Sequence, residues 1–229
     1  MPAMILARRL LVVLALLAAL PALAREPPYL TAQDLDLVSI LPPPIVDRAQ
    51  EDLVLAAQKA ATPERIEQAR RDVDETIDTA FGPVFGKTFD ARSLPATTRL
   101  FARLGETEEA VVAPTKTAFK RVRPYLSNPE IKALVRPSVS GSYPSGHTTY
   151  VTVAAIMVAT MVPEKRDAIW QRAWDYAQSR VIGGMHYPND LLGGRLAGTA
   201  IAAAVQSRPE FKADFEAARR ELRQYLGLP

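Results

Sequence analysis

The chain of 229 residues contains two histidines, and each lies in a short motif of residue types that could bind or transfer a phosphoryl group. His147 ends the sequence Gly-Ser-Tyr-Pro-Ser-Gly-His at residues 141–147, and His186 begins the sequence His-x-x-x-Asp, which ends at Asp190. A neutral imidazole can attack phosphorus, and an imidazolium can protonate a departing oxygen. The two histidines are therefore candidates for a nucleophile and a general acid.

The spacing of His186 and Asp190 allows the two side chains to form a hydrogen bond. An aspartate that accepts the Nδ1–H of His186 fixes the tautomer, leaves Nε2 free to attack, and stabilises the charge of a phosphorylated ring. Arg180, six residues before His186, would add a cation for the transferring group. The same spacing is also typical of a histidine at a helix start that pairs with a structural acid.

Residues 144–147, Pro-Ser-Gly-His, come directly before the most apolar stretch of the chain that follows residue 24. Ser145 is a favoured N-cap residue, and Gly146 lets the backbone come close to a ligand, so that free N–H groups would face an anion. The Ser145 hydroxyl can add a donor. The segment is equally typical of a capped helix start that carries a histidine in its first turn.

Lys116 and Arg123 form a third candidate element. They lie seven residues apart, or about two helical turns, so on one continuous helix both would point to the same face. Guanidinium offers a planar fork to two phosphate oxygens, and lysine offers a point charge. Because Lys120 and Arg121 lie nearby, a solvated basic face is the simpler explanation of this spacing taken alone.

The residue types argue against a metal site. Structural zinc usually takes four Cys or His ligands and catalytic zinc about three protein ligands, whereas this chain has two histidines and no cysteine. A mixed site of histidine and carboxylate stays open, but Lys116, Arg123 and Arg180 would repel a divalent cation. We therefore expect no metal and no other cofactor.

Residues 1–24 have the pattern of an export signal. Two arginines precede an unbroken apolar run at residues 10–20, and Ala-Leu-Ala at residues 22–24 supplies a cleavage site of the small-x-small type. The run is too short for a bilayer core, which needs roughly 20 apolar residues; a buried first helix is the alternative. We expect a signal peptide at 1–24, a periplasmic location and one domain at 25–229.

Composition limits the class of partner. Residues 1–24 hold two of the 28 basic residues and none of the 25 acidic ones, so the net charge without them is +1. A nucleic-acid-binding domain would keep a basic excess, and we therefore expect no nucleic-acid partner. The absence of cysteine also excludes disulfides and an anchor through a lipidated cysteine.

The elements that must position these residues have helical periodicity. After a proline-rich arm at residues 25–44, apolar residues recur at helical spacing over 46–61, and Thr62 and Pro63 suggest the cap and first residue of a helix that reaches about residue 81. Further helices are predicted over 94–104, 107–121 with a break or kink at Pro114, 147–162, 164–182, 189–205 and 209–226. The apolar stretch at 151–162 suits a buried helix, which predicts an all-α, single-domain bundle around a central helix.

Taken together, three motifs carry a resemblance to a known superfamily: Lys-x6-Arg-Pro at residues 116–124, Pro-Ser-Gly-His at 144–147, and Ser-Arg-x5-His-x3-Asp at 179–190. In this order they resemble the tripartite signature that joins type 2 phosphatidic acid phosphatases, bacterial class A non-specific acid phosphatases and vanadium-dependent haloperoxidases. The surrounding sequence, such as Leu-Pro-Pro-Pro at 41–44 and Gly-Ser-Tyr at 141–143, looks most like the class A acid phosphatases. The resemblance covers most of the chain after residue 24.

The resemblance implies that His186 is a nucleophile that forms a phosphohistidine, that Asp190 orients it and that His147 is the general acid. The residues implied to hold the phosphoryl oxygens are Lys116, Arg123, Ser145, Gly146 and Arg180. It also implies an all-helical, metal-independent enzyme that acts on small phosphomonoesters, and homo-oligomers, which family members often form. Gly183 stands where several relatives have cysteine, so any disulfide of those relatives is absent here.

Three other functions stay open. A phosphatase of lipid phosphates or diphosphates from the same superfamily would usually carry several membrane spans, whereas no segment after residue 24 has roughly 20 apolar residues. A vanadium haloperoxidase would hold vanadate in the same pocket, but the chain is short for one. A periplasmic anion-binding protein would have no use for a paired nucleophile and acid.

Overall fold

The computed structural model describes residues 25–86 and 89–229, so the predicted export signal at 1–24 lies outside the described part. Within those ranges the chain forms ten α-helices and no β-strand, which confirms the predicted all-α class. The helices are α1 (Leu37–Ile40), α2 (Arg48–Ala60), α3 (Pro63–Arg71), α4 (Ile77–Phe85), α5 (Pro95–Phe119), α6 (Pro124–Ser127), α7 (Gly146–Met161), α8 (Arg166–Ile182), α9 (Pro188–Ala204) and α10 (Pro209–Tyr225). None of these helices combines the length and the apolar character that crossing a membrane requires.

Helix α7 is the buried centre of the bundle, as its apolar sequence predicts. It packs most extensively on α9 and α8, and it also contacts α5 and α10. Two glycines of α9 allow a very close approach: a Cβ on Gly194 would lie 2.7 Å from the Ser145 carbonyl oxygen, and one on Gly198 would lie 2.6 Å from the Thr149 carbonyl oxygen. The middle of α9 is thereby packed closely against the first turns of α7.

The proline-rich arm is anchored to the bundle. Tyr29 and Leu30 are buried in the main core, and the Tyr29 hydroxyl donates to Asp214 of α10 over 2.7 Å. The short helix α1 interrupts the extended path that the sequence predicts, while residues 42–44 are free of regular structure, as three consecutive prolines require.

Two helix boundaries differ from the sequence prediction. The helix that begins after Thr62 ends at Arg71 instead of near residue 81, because Asp72 turns inward and accepts hydrogen bonds from Arg172 and Ser179 of α8. The two helices predicted over 94–104 and 107–121 are one continuous helix, α5, which runs through Pro114. Burial of neighbouring residues, among them Val111 and Thr115, offsets the single backbone hydrogen bond that a proline removes.

Candidate active site

Four helix ends meet around a small cavity of about 190 Å³. Lys116 lies in the last turn of α5, Arg180 lies in the last turn of α8, Gly146 and His147 begin α7, and His186 lies in the turn before α9. With Arg123, six of the eight predicted site residues therefore line the cavity, and Ser145 and Asp190 do not. The other lining residues are Glu75, Glu108, Glu109, Ser138 and Ser140.

Lys116 and Arg123 reach the cavity by a different route from the one their spacing suggests. Helix α5 ends at Phe119, and Lys120 takes a left-handed conformation with φ 50°, so the two residues do not share one helix face. Arg123 instead precedes α6 as its N-cap residue. The continuous helix on which a shared face depends is thus interrupted, although both side chains line the same cavity.

The Arg123 guanidinium determines the tautomer of His186. Arg123 Nη1 lies 3.2 Å from His186 Nε2, and because arginine can only donate, Nε2 must accept and carry no proton. The ring proton is then on Nδ1, which lies 3.3 Å from Asp190 Oδ2. Burial, followed by the charges of Arg123, Lys116 and Arg180, holds the pKa of His186 well below its ordinary value. The ring, which is 2% exposed, is therefore neutral with its lone pair at Nε2.

Asp190 is held by several donors besides His186. Arg121 Nη1 donates to Oδ1 over 2.6 Å, and Oδ2 accepts from the Ser142 hydroxyl and from the backbone N–H of Tyr187 over 2.9 Å. Burial raises the pKa of Asp190 to about 6, against the opposing effects of Arg121 and these hydrogen bonds. The carboxylate is therefore a fixed acceptor. His186 precedes α9, which begins at Pro188, so its hydrogen bond to Asp190 does not require both residues to lie in one helix.

Ser145 caps α7, as its position in the sequence predicts. Its hydroxyl oxygen accepts from the Thr148 N–H over 3.3 Å and from the Thr148 hydroxyl over 3.0 Å. The N–H groups of Gly146 and His147 belong to the first helical turn, which has no intrahelical acceptors for them. The structure thus gives Ser145 a capping role, and a direct contact between its hydroxyl and a phosphoryl group stays a prediction.

Arg180 has unused donors inside the protein. Its side chain is 3% exposed, and Nε and Nη1 have no hydrogen-bond partner among the residues that the structure describes. A buried guanidinium normally has all its donors paired, because an unpaired buried donor costs roughly 1–3 kcal/mol. These two nitrogens carry three N–H groups, and in a cavity that Lys116 and Arg123 also line they are suited to an anionic oxygen.

Both ring nitrogens of His147 are bonded in this structure. Nε2 lies 2.8 Å from the Val73 carbonyl oxygen, which can only accept, so Nε2 carries a proton. Nδ1 lies 2.7 Å from Glu75 Oε1. Burial acts to raise the pKa of Glu75, but His147, Lys116 and Arg180 outweigh it and hold that pKa below its ordinary value. His147 and Glu75 therefore share a proton at the cavity wall. In this conformation both ring nitrogens of His147 are hydrogen-bonded within the protein.

The sequence motifs do not include three charged residues in or beside the cavity: Glu75, Glu108 and Arg121. Each is one charged residue in a segment that already contains several, so local sequence does not distinguish it. Arg121 could have been found from Asp190, because a buried carboxylate needs a cation or several donors. No group of three or more His, Cys, Asp or Glu side chains in ranges 25–86 and 89–229 is arranged to bind a metal ion.

Comparison with known proteins identifies the family. The family model described as PAP2 superfamily matches residues 106–212, which contain all three motifs. The non-specific acid phosphatase of Salmonella typhi is 33% identical over 168 residues, which are 69% of this chain and 66% of that protein. The non-specific acid phosphatase of Providencia stuartii is 28% identical over 203 residues, which are 83% of this chain and 82% of that protein. Residues 106–212 therefore have the sequence of a PAP2 superfamily domain, as the three motifs predict.

A solved structure supports the same helical fold. The transmembrane PAP2 type phosphatidylglycerolphosphate phosphatase from Bacillus subtilis superposes with a TM-score of 0.53 at 21% identity, covering 76% of this chain and 91% of that chain. At this identity the match bears on the fold alone. The activity of the present chain has to be argued from its own site.

Proposed function

We propose that this protein is an acid phosphatase that hydrolyses phosphomonoesters through a phosphohistidine at His186 Nε2, without a metal. One observation carries the proposal: a buried, neutral imidazole presents an unprotonated Nε2 at a cavity that Lys116, Arg123 and Arg180 also line. An unprotonated nitrogen can attack phosphorus, and three cations can stabilise the charge of the transferring group. The names of the Salmonella and Providencia relatives agree with this activity.

In the first step, the Nε2 lone pair of His186 forms a bond to phosphorus while the bond from phosphorus to the ester oxygen breaks. Arg123 gives up its bond to Nε2, and the Nη1–H that made this bond is then available to a phosphoryl oxygen. The phosphorylated ring is cationic, and its Nδ1–H stays bonded to Asp190, which stabilises that charge. The departing alkoxide takes a proton from the pair formed by His147 and Glu75.

In the second step, water attacks phosphorus and the bond from Nε2 to phosphorus breaks. The water gives its proton to the pair of His147 and Glu75, which restores the donor for the next turnover. Inorganic phosphate leaves and His186 is neutral again. To act as the general acid, His147 has to break the hydrogen bond between its Nε2–H and the Val73 carbonyl oxygen. The position of His147 on the cavity wall supports this role.

A phosphatase of lipid phosphates is the second candidate. A depression of about 500 Å³ adjoins the phosphate cavity and shares Lys116 and Arg123 with it. Its lining includes the exposed apolar side chains Val122, Leu126 and Val139. An apolar organic group next to a phosphate would find contacts there, whether it is an aryl group or the glyceride part of a lipid.

The test is hydrolysis of a panel of esters by a chain that begins at Arg25. We expect turnover of phosphomonoesters, no turnover of diesters, and the same rates with and without a chelator. Faster turnover of phosphatidate in mixed micelles than of any water-soluble monoester would favour the lipid enzyme. Absence of turnover on the whole panel, with phosphate still bound, would favour an anion-binding protein and contradict the proposed activity.

We further propose that residues 1–24 direct export to the periplasm and are removed before Arg25. The supporting observation is the pattern of two arginines, an apolar run and Ala-Leu-Ala at residues 22–24. N-terminal sequencing of the periplasmic fraction should give Arg-Glu-Pro-Pro. An intact chain that begins at Met1 and stays in the inner membrane would contradict export with cleavage.

A further inference from the structure

Glu108 of α5 is a buried carboxyl group that the proposed reaction does not use. It is 2% exposed, and its Oε1 has no hydrogen-bond partner among the residues that the structure describes. Buried polar atoms are rarely left unpaired, and an exception calls for an explanation such as a missing ligand. Glu108 lines the cavity that we assign to the phosphoryl group, so a ligand there is the natural partner.

Glu108 Oε1 lies close to Gly146, the first residue of α7. A Cβ on Gly146 would lie 2.7 Å from Glu108 Oε1 and 3.4 Å from Lys116 Nζ. The carboxyl oxygen therefore lies against the N-terminus of α7, next to one of the cations that would hold a phosphoryl group. Both features attract anions, and the cavity is the place where an anion would meet them.

Charged and titratable groups face Glu108 from every side of the cavity. They are Glu75 from the segment before α4, Glu109 and Lys116 of α5, Arg123 before α6, His147 of α7, Arg180 of α8 and His186 before α9. An ionised Glu108 would repel a phosphate dianion at this place, whereas a protonated carboxyl would offer it an O–H donor. Burial, and after it the charge of Glu75, raises the pKa of Glu108 well above its ordinary value, against the opposing effect of Lys116.

We propose that Glu108 binds the phosphoryl group as a neutral carboxylic acid, whose O–H donates to a phosphoryl oxygen. This proposal rests on the assignment of the cavity to phosphate. No covalent bond changes in it: Glu108 keeps its proton, or takes one up from solvent, when the anion binds. Ionisation of Glu108 as the pH rises replaces an attractive donor by a negative charge, and the affinity for phosphate must then fall.

The test is the binding of inorganic phosphate to the chain from Arg25, measured by calorimetry from acid to alkaline pH in buffers of different ionisation enthalpy. The comparison is between the wild type and Glu108→Gln, because an amide has the same shape and remains a donor at every pH. Phosphate's own titration is common to both proteins and cancels in the difference. Where the pH is high enough to ionise Glu108 in the free protein, we expect the wild type to take up about one proton more than Glu108→Gln, which adds about a tenfold change in affinity per pH unit.

At the acid end we expect Glu108→Gln to bind phosphate within about threefold of the wild type. Glu108→Leu, which has no donor, should bind roughly tenfold more weakly there. Glu210→Gln is the matched control: it removes the same charge from an exposed position of α10 outside the cavity, and it should keep the proton uptake of the wild type.

Two results would overturn the proposal. One is equal proton uptake by the wild type and Glu108→Gln at every pH from the acid to the alkaline end. The other is binding by Glu108→Gln that is as weak as binding by Glu108→Leu, which would show that the ionised carboxylate is needed. Failure of the wild type to bind phosphate at any pH would instead contradict the proposed function. The two failures are therefore distinguishable.

Discussion

Arg123 donates from Nη1 to Nε2 of His186 across 3.2 Å, and it is fixed by the protein before any substrate arrives. Its other donors reach the carbonyl oxygens of Ser140 and Met185 over 2.8 and 3.0 Å. The arginine therefore both selects the tautomer of His186 and stands where a phosphoryl group would approach Nε2. Such preorganisation requires little rearrangement at the moment of reaction.

The pH dependence of activity should reveal the role of Arg121. Asp190 has to be ionised to accept the Nδ1–H of His186, and its pKa is about 6, so the activity of the wild type should decline as the pH falls through about 6. Arg121 acts to lower that pKa. In Arg121→Gln the pKa of Asp190 should rise, and the acid limb of the profile of kcat/KM should move to higher pH.

The control for Arg121→Gln is Arg136→Gln, which removes the same charge from an exposed position outside the cavity. It should leave the acid limb in place. An Arg121→Gln profile that is scaled down without a shift along the pH axis would show that Arg121 does not act through Asp190.

The loss of rate in His147→Ala should increase with the basicity of the leaving group. His147→Ala should slow the hydrolysis of alkyl phosphates by roughly 10²–10⁴-fold, the usual contribution of a general acid. It should slow p-nitrophenyl phosphate far less, because that phenolate departs with little protonation. Rates for a series of leaving groups measure the difference.

Glu75→Gln tests the same pair from the other side. Because Glu75 Oε1 lies 2.7 Å from Nδ1 of His147, this variant should show the same selectivity for poor leaving groups, with a smaller loss. Equal losses of His147→Ala on alkyl and aryl phosphates would mean that the histidine is structural or only binds phosphate.

The size of residue 146 should limit access to the phosphate cavity. In Gly146→Ala the new Cβ would lie 2.7 Å from Glu108 Oε1, and the buried carboxyl would have to move. A displaced Glu108 would take space from the substrate, and a loss of about 1.4 kcal/mol in transition-state binding corresponds to about tenfold in kcat/KM. Steady-state kinetics with a phosphomonoester should show the loss.

Gly105→Ala is the matched control for Gly146→Ala, since the nearest atom to its Cβ would be Tyr150 Cε2 at 3.8 Å, an ordinary contact. It lies inside α5, where alanine is a better helix former than glycine, and kcat/KM should stay within about twofold of the wild type. Equal behaviour of the two variants would show that the space at residue 146 is not limiting.

Activity should survive an excess of chelator and be blocked by vanadate. Lys116, Arg123 and Arg180 can neutralise the transferring group without a metal, and five-coordinate vanadate bonded to His186 Nε2 would resemble the in-line transition state. Inhibition assays with each reagent test this. Loss of activity with chelator and its return with zinc or magnesium would contradict metal independence.

The sequence predicted the helical class and most of the site because both depend on local patterns. Ser145 caps α7 as the motif predicts, and the buried helix that follows was evident from its apolar sequence. The route by which Arg123 reaches the cavity could not be predicted from its spacing to Lys116, because Lys120 takes a left-handed conformation and α5 ends before Arg123. The break after Arg71 likewise depends on Asp72 meeting Arg172 of α8, a hundred residues further along the chain.

The acidic side of the cavity could not be predicted either. Glu75, Glu108 and Glu109 lie in segments of ordinary mixed charge, and only tertiary packing brings them to Lys116 and Arg180. A single sequence shows the charges of such residues but not which of them are buried together. The motifs indicated three cations at the site, whereas the structure shows cations and carboxyl groups on the same walls.

The most direct test of the phosphohistidine is to trap it. A chain that begins at Arg25 is mixed with a phosphomonoester, quenched within a turnover under alkaline denaturing conditions that preserve phosphohistidine, digested and analysed by mass spectrometry. We predict phosphate on the peptide that contains His186, and neither label nor turnover in His186→Ala. Turnover by His186→Ala at about half the wild-type rate, or phosphate on another residue, would contradict nucleophilic catalysis by His186.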